Sequence, residues 1–108
     1  MPRAKFQTLT EQMFYILLCL GQERCGADVM AWISETTGGR VAVGPGTLYN
    51  LLEQFLQAGY IRETKVEGRK RSYVIAPSGQ AALEAEVQRL RTLTADYERL
   101  AETGGGAL

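Results

Sequence analysis

The sequence predicts a mainly α fold with a small β-hairpin, closing on one long helix. Three observations predict it. In the first half, apolar residues recur three and four apart, the spacing of one helix face. Two strand-like runs, residues 60–66 and 71–75, flank a turn that contains Gly68. The last quarter repeats its apolar positions at alternating steps of four and three, the seam of a heptad helix. A chain of 108 residues has room for one core.

The first helix is predicted to start at Thr8, because Thr8-Leu9-Thr10-Glu11 reads as a capping box. Leu9, Met13, Ile16, Leu17 and Leu20 give it an apolar face, and Gly21 is the expected stop. A second helix begins at Gly26-Ala27-Asp28, buries Val29, Trp32 and Ile33, and ends across Thr36 to Gly39. Val41-Ala42-Val43 reads as a short extended strand. The third helix runs from Pro45, which lacks only an amide hydrogen that has no partner there anyway, to about Ala58, with Gly59 as a left-handed cap. Leu48, Leu51, Leu52, Phe55 and Leu56 share its inner face. Tyr60 to Val66 and Arg71 to Ile75 are the hairpin strands. The last helix spans Pro77 to about Glu102, and residues 103–108 are expected to be disordered.

Composition narrows the function. There is no histidine, which removes the usual general base and the commonest metal ligand. Cys19 and Cys25 alone cannot build a zinc site, and no cofactor or metal is expected. Both read as structural thiols, with a redox role as the other option. No nucleophile–base pair and no phosphate-cradling loop is present, so the chain is not read as an enzyme. The longest apolar run, Met13 to Leu20, is far short of the roughly 20 residues that span a bilayer. No signal peptide is read, and a cytoplasmic protein without a membrane partner is expected.

Net charge is zero, yet its distribution is uneven. Residues 60–76 carry Arg62, Lys65, Arg69, Lys70 and Arg71 against Glu63 and Glu67, a surplus of three. The surplus falls on the hairpin. A compact helix followed at once by a basic hairpin is the layout of a winged helix-turn-helix, in which the third helix enters the major groove and the hairpin is the wing. At 100° per residue the outer face of the third helix carries Gly46, Asn50, Glu53, Gln54 and Gln57, with Thr47 and Tyr49 at its edges. Apart from Glu53 these are neutral hydrogen-bonding groups suited to bases and phosphates. The predicted DNA-binding set is Gly46, Thr47, Tyr49, Asn50, Lys65, Arg69, Lys70 and Arg71. A merely solvated face and turn is the competing reading.

The last helix carries Leu83, Val87, Leu90, Thr94, Tyr97 and Ala101 along its seam, widened by Leu93 and Leu100. These are predicted to pair with a second copy, making a homodimer suited to a palindromic operator. Folding back on its own domain is the alternative. The expected division is residues 1–76 for the winged helix-turn-helix and 77–102 for dimerisation.

The sequence resembles the PadR family of bacterial transcription regulators. The resemblance rests on Gly46-Thr47-Leu48-Tyr49, Leu52, the exit Leu56-Gln57-Ala58-Gly59-Tyr60-Ile61, and Gly68-Arg69-Lys70-Arg71-Ser72-Tyr73-Val74-Ile75 running into Pro77-Ser78-Gly79. Phe14 to Leu20 and Gly26 look similar as well. It implies a repressor of the shorter subgroup, with one C-terminal dimerisation helix. Thr47 and Tyr49 would contact groove or backbone, and Arg69, Lys70 and Arg71 would act at the wing. Some members bind flat aromatic compounds between subunits through tryptophans. The last helix here has none, which leaves Trp32, otherwise a core filler, and Tyr97 as the residues for a small aromatic effector. Where the family often has Thr before the last helix this chain has Ala76, and Ser78 is expected to cap instead. The rival function, suggested by zero net charge and Glu53, is a winged-helix protein-interaction module that no longer binds DNA.

Overall fold

The computed structural model describes residues 8–103. The first helix, α1, spans Glu11–Cys19. Its cap is Thr10: the Thr10 hydroxyl accepts from the Met13 amide at 3.1 Å, and the Thr10 amide points back at the Met13 sulfur at 3.5 Å. The helix therefore starts later than the Thr8 box predicts. Leu9 precedes it as a buried residue. The stop is also corrected: Leu20, fully buried, is the C-cap, and Gly21 follows it.

Arg24–Cys25 forms a two-residue strand, β1, leading into α2 at Gly26–Thr36. The expected strand at Val41-Ala42-Val43 is absent, and β1 takes its place in the sheet. Side chains satisfy the 41–43 backbone instead. The Thr37 hydroxyl accepts from the Val41 amide at 3.1 Å, and Gln12 donates to the Ala42 carbonyl at 3.0 Å. Val41 and Val43 spend their side chains on the core.

The third helix, α3, spans Pro45–Ala58, as predicted. Gly59 ends it at φ 79°, with the Tyr60 amide bonded to the Phe55 carbonyl at 2.9 Å and the Gly59 amide to Leu56 at 3.1 Å. This paired closure needs the left-handed conformation that glycine adopts without strain. Strands β2 (Ile61–Glu67) and β3 (Lys70–Ile75) follow, and the antiparallel sheet has the order β1-β3-β2. The turn holds Gly68 at φ 63° and Arg69, positive φ at the first loop residue only, as in a type II′ turn. Glu63 faces Tyr73 and Lys65 faces Ser72, so Thr64 is an extra residue and β2 is bulged. Its hydroxyl is buried without a hydrogen-bond partner among the described residues.

One core joins the elements. Ile16, Leu17, Leu20, Val29, Ile33, Leu48, Leu52 and Phe55 are all essentially inaccessible. The last helix, α4, spans Pro77–Glu102, as predicted, with Thr103 as its C-cap; the rest of the expected tail lies outside the described residues. Its first turn docks on the exit of α3, where the Ala76 amide donates to the Tyr60 carbonyl at 2.8 Å. Ser78 does not cap α4 as expected. It donates to the Gly59 carbonyl at 2.6 Å, and Ala76 at the N-cap leaves α4 without a side-chain cap.

Leu83 of the predicted seam is already part of this core, and Val87 is half-buried. Beyond them α4 leaves the domain: Leu90, Leu93, Tyr97 and Leu100 are 43–57% exposed. The radius of gyration is 16.4 Å, against about 13 Å for a compact domain of this size. Glu86 is buried on α4, a role the heptad reading did not assign. It accepts from the Leu9 amide at 3.1 Å and pairs with Arg89, tying the entry of α1 to α4.

Candidate nucleic-acid interface

Two elements carry the predicted interface, and the sheet sets their relation. Central strand β3 puts Arg71 and Tyr73 on one face by simple alternation. Tyr73 is buried beside α3, while Arg71 emerges toward the wing tip. On α3 the residues Gly46, Thr47, Tyr49, Asn50 and Glu53 are exposed, and Tyr49 is 49% exposed despite its large ring. Gln54 donates to Asn50 at 3.3 Å, and Gln57 donates to Glu53 at 3.2 Å. The outward amides are thus held in pairs one turn apart, so Glu53 is engaged by a neutral donor.

The wing cations are unequal. Arg71 is bonded to Glu63 across the hairpin at 2.7 Å, and Lys65 lies 4.0 Å from Glu23. Arg69, in the turn, and Lys70, just after it, are exposed and without an ion pair among the described residues. Exposed pairs contribute only about 0–1 kcal/mol, so Arg71 and Lys65 are held only weakly by their acids. Between the wing, α3 and the start of α2 lies a hollow of about 500 Å³, with Tyr49 and Tyr73 in its wall. Burial, with Glu63 adding to it, holds the Tyr73 hydroxyl above the ordinary tyrosine range, so it stays a protonated donor at neutral pH. Sequence reading missed Tyr73. Its only signal is that it shares the strand face of Arg71.

The aromatic pair proposed for a ligand is not brought together by any of the cavities that stand out. That hollow, and two cavities of about 390 Å³ along α4, are lined by neither Trp32 nor Tyr97. Trp32 is half-buried on α2 with the Arg24 guanidinium 5.7 Å from its ring centre. Tyr97 is exposed on the projecting part of α4. Burial pushes the Cys19 thiol up to about 11, against the pull of Arg24, which leaves it an unreactive core group. Among the described residues no cluster of three acidic or thiol ligands could hold a metal ion, and no helix is long and apolar enough to cross a membrane.

Comparison with solved structures supports the architecture. A transcriptional regulator from Clostridium thermocellum matches with a TM-score of 0.70 and 20% identity, over 80% of this chain and 85% of that one. H. salinarum RosR matches with a TM-score of 0.62 and 24% identity, over 82% and 77%. A candidate transcriptional regulator from Thermoplasma acidophilum matches with a TM-score of 0.60 and 26% identity, over 83% and 88%. At these identities the likeness speaks for the fold. None of the curated proteins matches the chain. The model of the transcriptional regulator PadR-like family matches residues 16–85, from α1 through the wing into the first third of α4. That match covers well over half of the 108 residues and includes both the α3 face and the basic hairpin: the chain belongs to the PadR-like family of transcriptional regulators, DNA-binding winged-helix proteins and not enzymes.

Proposed function

We propose that this chain is a cytoplasmic repressor that binds a palindromic operator as a homodimer. The observation that carries the reading is the adjacency of Arg69 and Lys70, both without ion pairs among the described residues, to the exposed polar face of α3. The helix supplies Gly46, Thr47, Tyr49 and Asn50 to the major groove, and the wing supplies Lys65, Arg69, Lys70 and Arg71 to phosphates. One domain offers few cations, so a single copy binds weakly, and counterion release makes that binding steeply salt-dependent.

The exposed apolar part of α4 supports pairing. Leu90, Leu93, Tyr97 and Leu100 lie open to water, with Val87, Thr94 and Ala101 alongside and Leu83 anchoring the helix to its own core. Pairing two such helices covers that surface and sets two α3 helices on half-sites about one helical turn apart. A small aromatic effector bound between subunits near Trp32 or Tyr97 is the regulatory part of the reading; quenching of the single tryptophan by a panel of aromatic compounds tests it.

The deciding experiment is fluorescence anisotropy with duplexes from the DNA beside the gene, alongside sedimentation for the oligomeric state. Binding to an inverted repeat by a dimer is expected. No measurable duplex affinity at about 50 mM salt overturns the reading, and favours the protein-interaction module suggested by zero net charge and Glu53.

A further inference from the structure

The hollow of about 500 Å³ beside the wing brings the start of α2 to the same place as α3 and the hairpin. Three features of its wall point to an anion. The first-turn amides of α2 have no partner within the helix, no side chain caps them, and Gly26 and Ala27 line the hollow. Amides so placed, with the helix dipole behind them, attract negative charge. Tyr73 is only 4% exposed, yet its hydroxyl makes no hydrogen bond among the described residues and opens on the hollow. Arg69 and Lys70 line it without ion pairs among the described residues, and the wing's Glu63 is answered by Arg71.

We propose that this hollow seats one phosphate group of the DNA backbone, held by the α2 amides, the Tyr73 and Tyr49 hydroxyls, and Arg69 and Lys70. The proposal rests on the DNA-binding reading above and deepens it. It puts α2, and not only α3 and the wing, on the duplex. It also gives the Tyr73 hydroxyl, which makes no hydrogen bond among the described residues, an acceptor. The hollow is open and wide enough for a phosphodiester with its flanking sugars.

The test uses the full chain and a duplex selected from a random pool, carrying a neutral methylphosphonate at one backbone position at a time. Anisotropy measures wild type and Tyr73→Phe against each duplex. Tyr73→Phe removes a hydroxyl that reaches the hollow and makes no hydrogen bond among the described residues, so its melting temperature is expected to hold within a few degrees. Its affinity for the unmodified duplex is expected to fall about three- to tenfold, the size of one hydrogen bond. At one phosphate per half-site the methylphosphonate should weaken wild type and add little to the variant. Equal penalties in both proteins at every position overturn the seat while leaving DNA binding intact; no binding to any selected duplex overturns both. Binding of inorganic phosphate that depends on Tyr73, with every methylphosphonate silent, assigns the seat to a free oxyanion and overturns the backbone assignment. Should Tyr73→Phe melt lower, Gly26→Ala, whose β-carbon would meet the Tyr49 ring beside the α2 amides, is measured on the same duplex series with the same outcomes.

Discussion

The Tyr49 ring lies directly on Gly26. A β-carbon at Gly26 would meet Tyr49 Cε1 and its hydroxyl oxygen at 2.8 Å. The contact joins the exposed aromatic of α3 to the first residue of α2, so the orientation of Tyr49 depends on a missing side chain in another element.

Gly26→Ala is therefore expected to displace Tyr49 without disturbing the core, since the obstructed atoms end a side chain that can rotate. Thermal unfolding should change by only a few degrees, because an alanine in the first turn of α2 offsets some of the crowding. DNA affinity should fall by about tenfold, equivalent to about 1.4 kcal/mol. Melting and anisotropy on the same sample separate the two effects, and unchanged affinity would remove Tyr49 from the interface.

The wing cations should rank by their ion pairs. Arg69→Ala and Lys70→Ala each remove a cation with no acidic partner among the described residues, and each should lower the slope of log affinity against log salt by about one. Arg71→Ala should cost less affinity, because Arg71 gives up Glu63 before it meets a phosphate. Salt titrations of the three single variants check the order. An Arg71 variant as weak as the other two would show that the Glu63 pair opens freely.

Gly79 is where α4 touches the backbone at the exit of α3. A β-carbon there would lie 2.1 Å from the Tyr60 carbonyl oxygen, which is main chain and cannot swing away. Gly79→Ala should destabilise the protein by at least about 2 kcal/mol and lower the melting temperature by roughly 10 °C. Differential scanning calorimetry tests it. The contrast with Gly26→Ala is the point: side-chain crowding shifts function, and backbone crowding shifts stability.

Glu86 should make the fold acid-sensitive. The Arg89 guanidinium holds its carboxyl below the ordinary 4.5, and the Leu9 amide adds to this against the opposing effect of burial. The folded state thus favours the ionised form. That stability is fully present above 4.5 and is lost as pH falls through the lower folded value. Melting temperatures followed from pH 6 downward should show the loss, and Glu86→Gln should flatten the curve in that window while melting lower at neutral pH. A Gln variant with the wild-type pH profile would place the acid sensitivity elsewhere.

Legibility in the sequence followed locality. Helices α3 and α4 carry their own punctuation in Pro45, Gly59 and Pro77, and their bounds could be read directly. The start of α1 could not, because Thr8 and Thr10 both offer a hydroxyl ahead of an apolar run. The structure uses Thr10, whose hydroxyl takes the Met13 amide, while the Leu9 amide answers to Glu86, 77 residues away. Strand β1 has two residues and no alternation to read; it exists because β3 has a free edge. The Val41–Val43 segment has strand-forming residues but finds its partners in Thr37 and Gln12. The site divides the same way. The wing and the α3 face show as composition, whereas Tyr73 and Gly26 acquire meaning only when three elements meet.

Thr64 has a consequence beyond its lone hydroxyl. One surplus residue in β2 sharpens the twist of the ribbon and bends it, and the wing tip sits farther out on that same ribbon. The aim of Arg69 and Lys70 is therefore written in a residue count and not in any side chain that reaches DNA. Removing Thr64 would leave each ladder partner opposite its present mate and straighten the arm. The same cations would then be carried to a different point along the duplex.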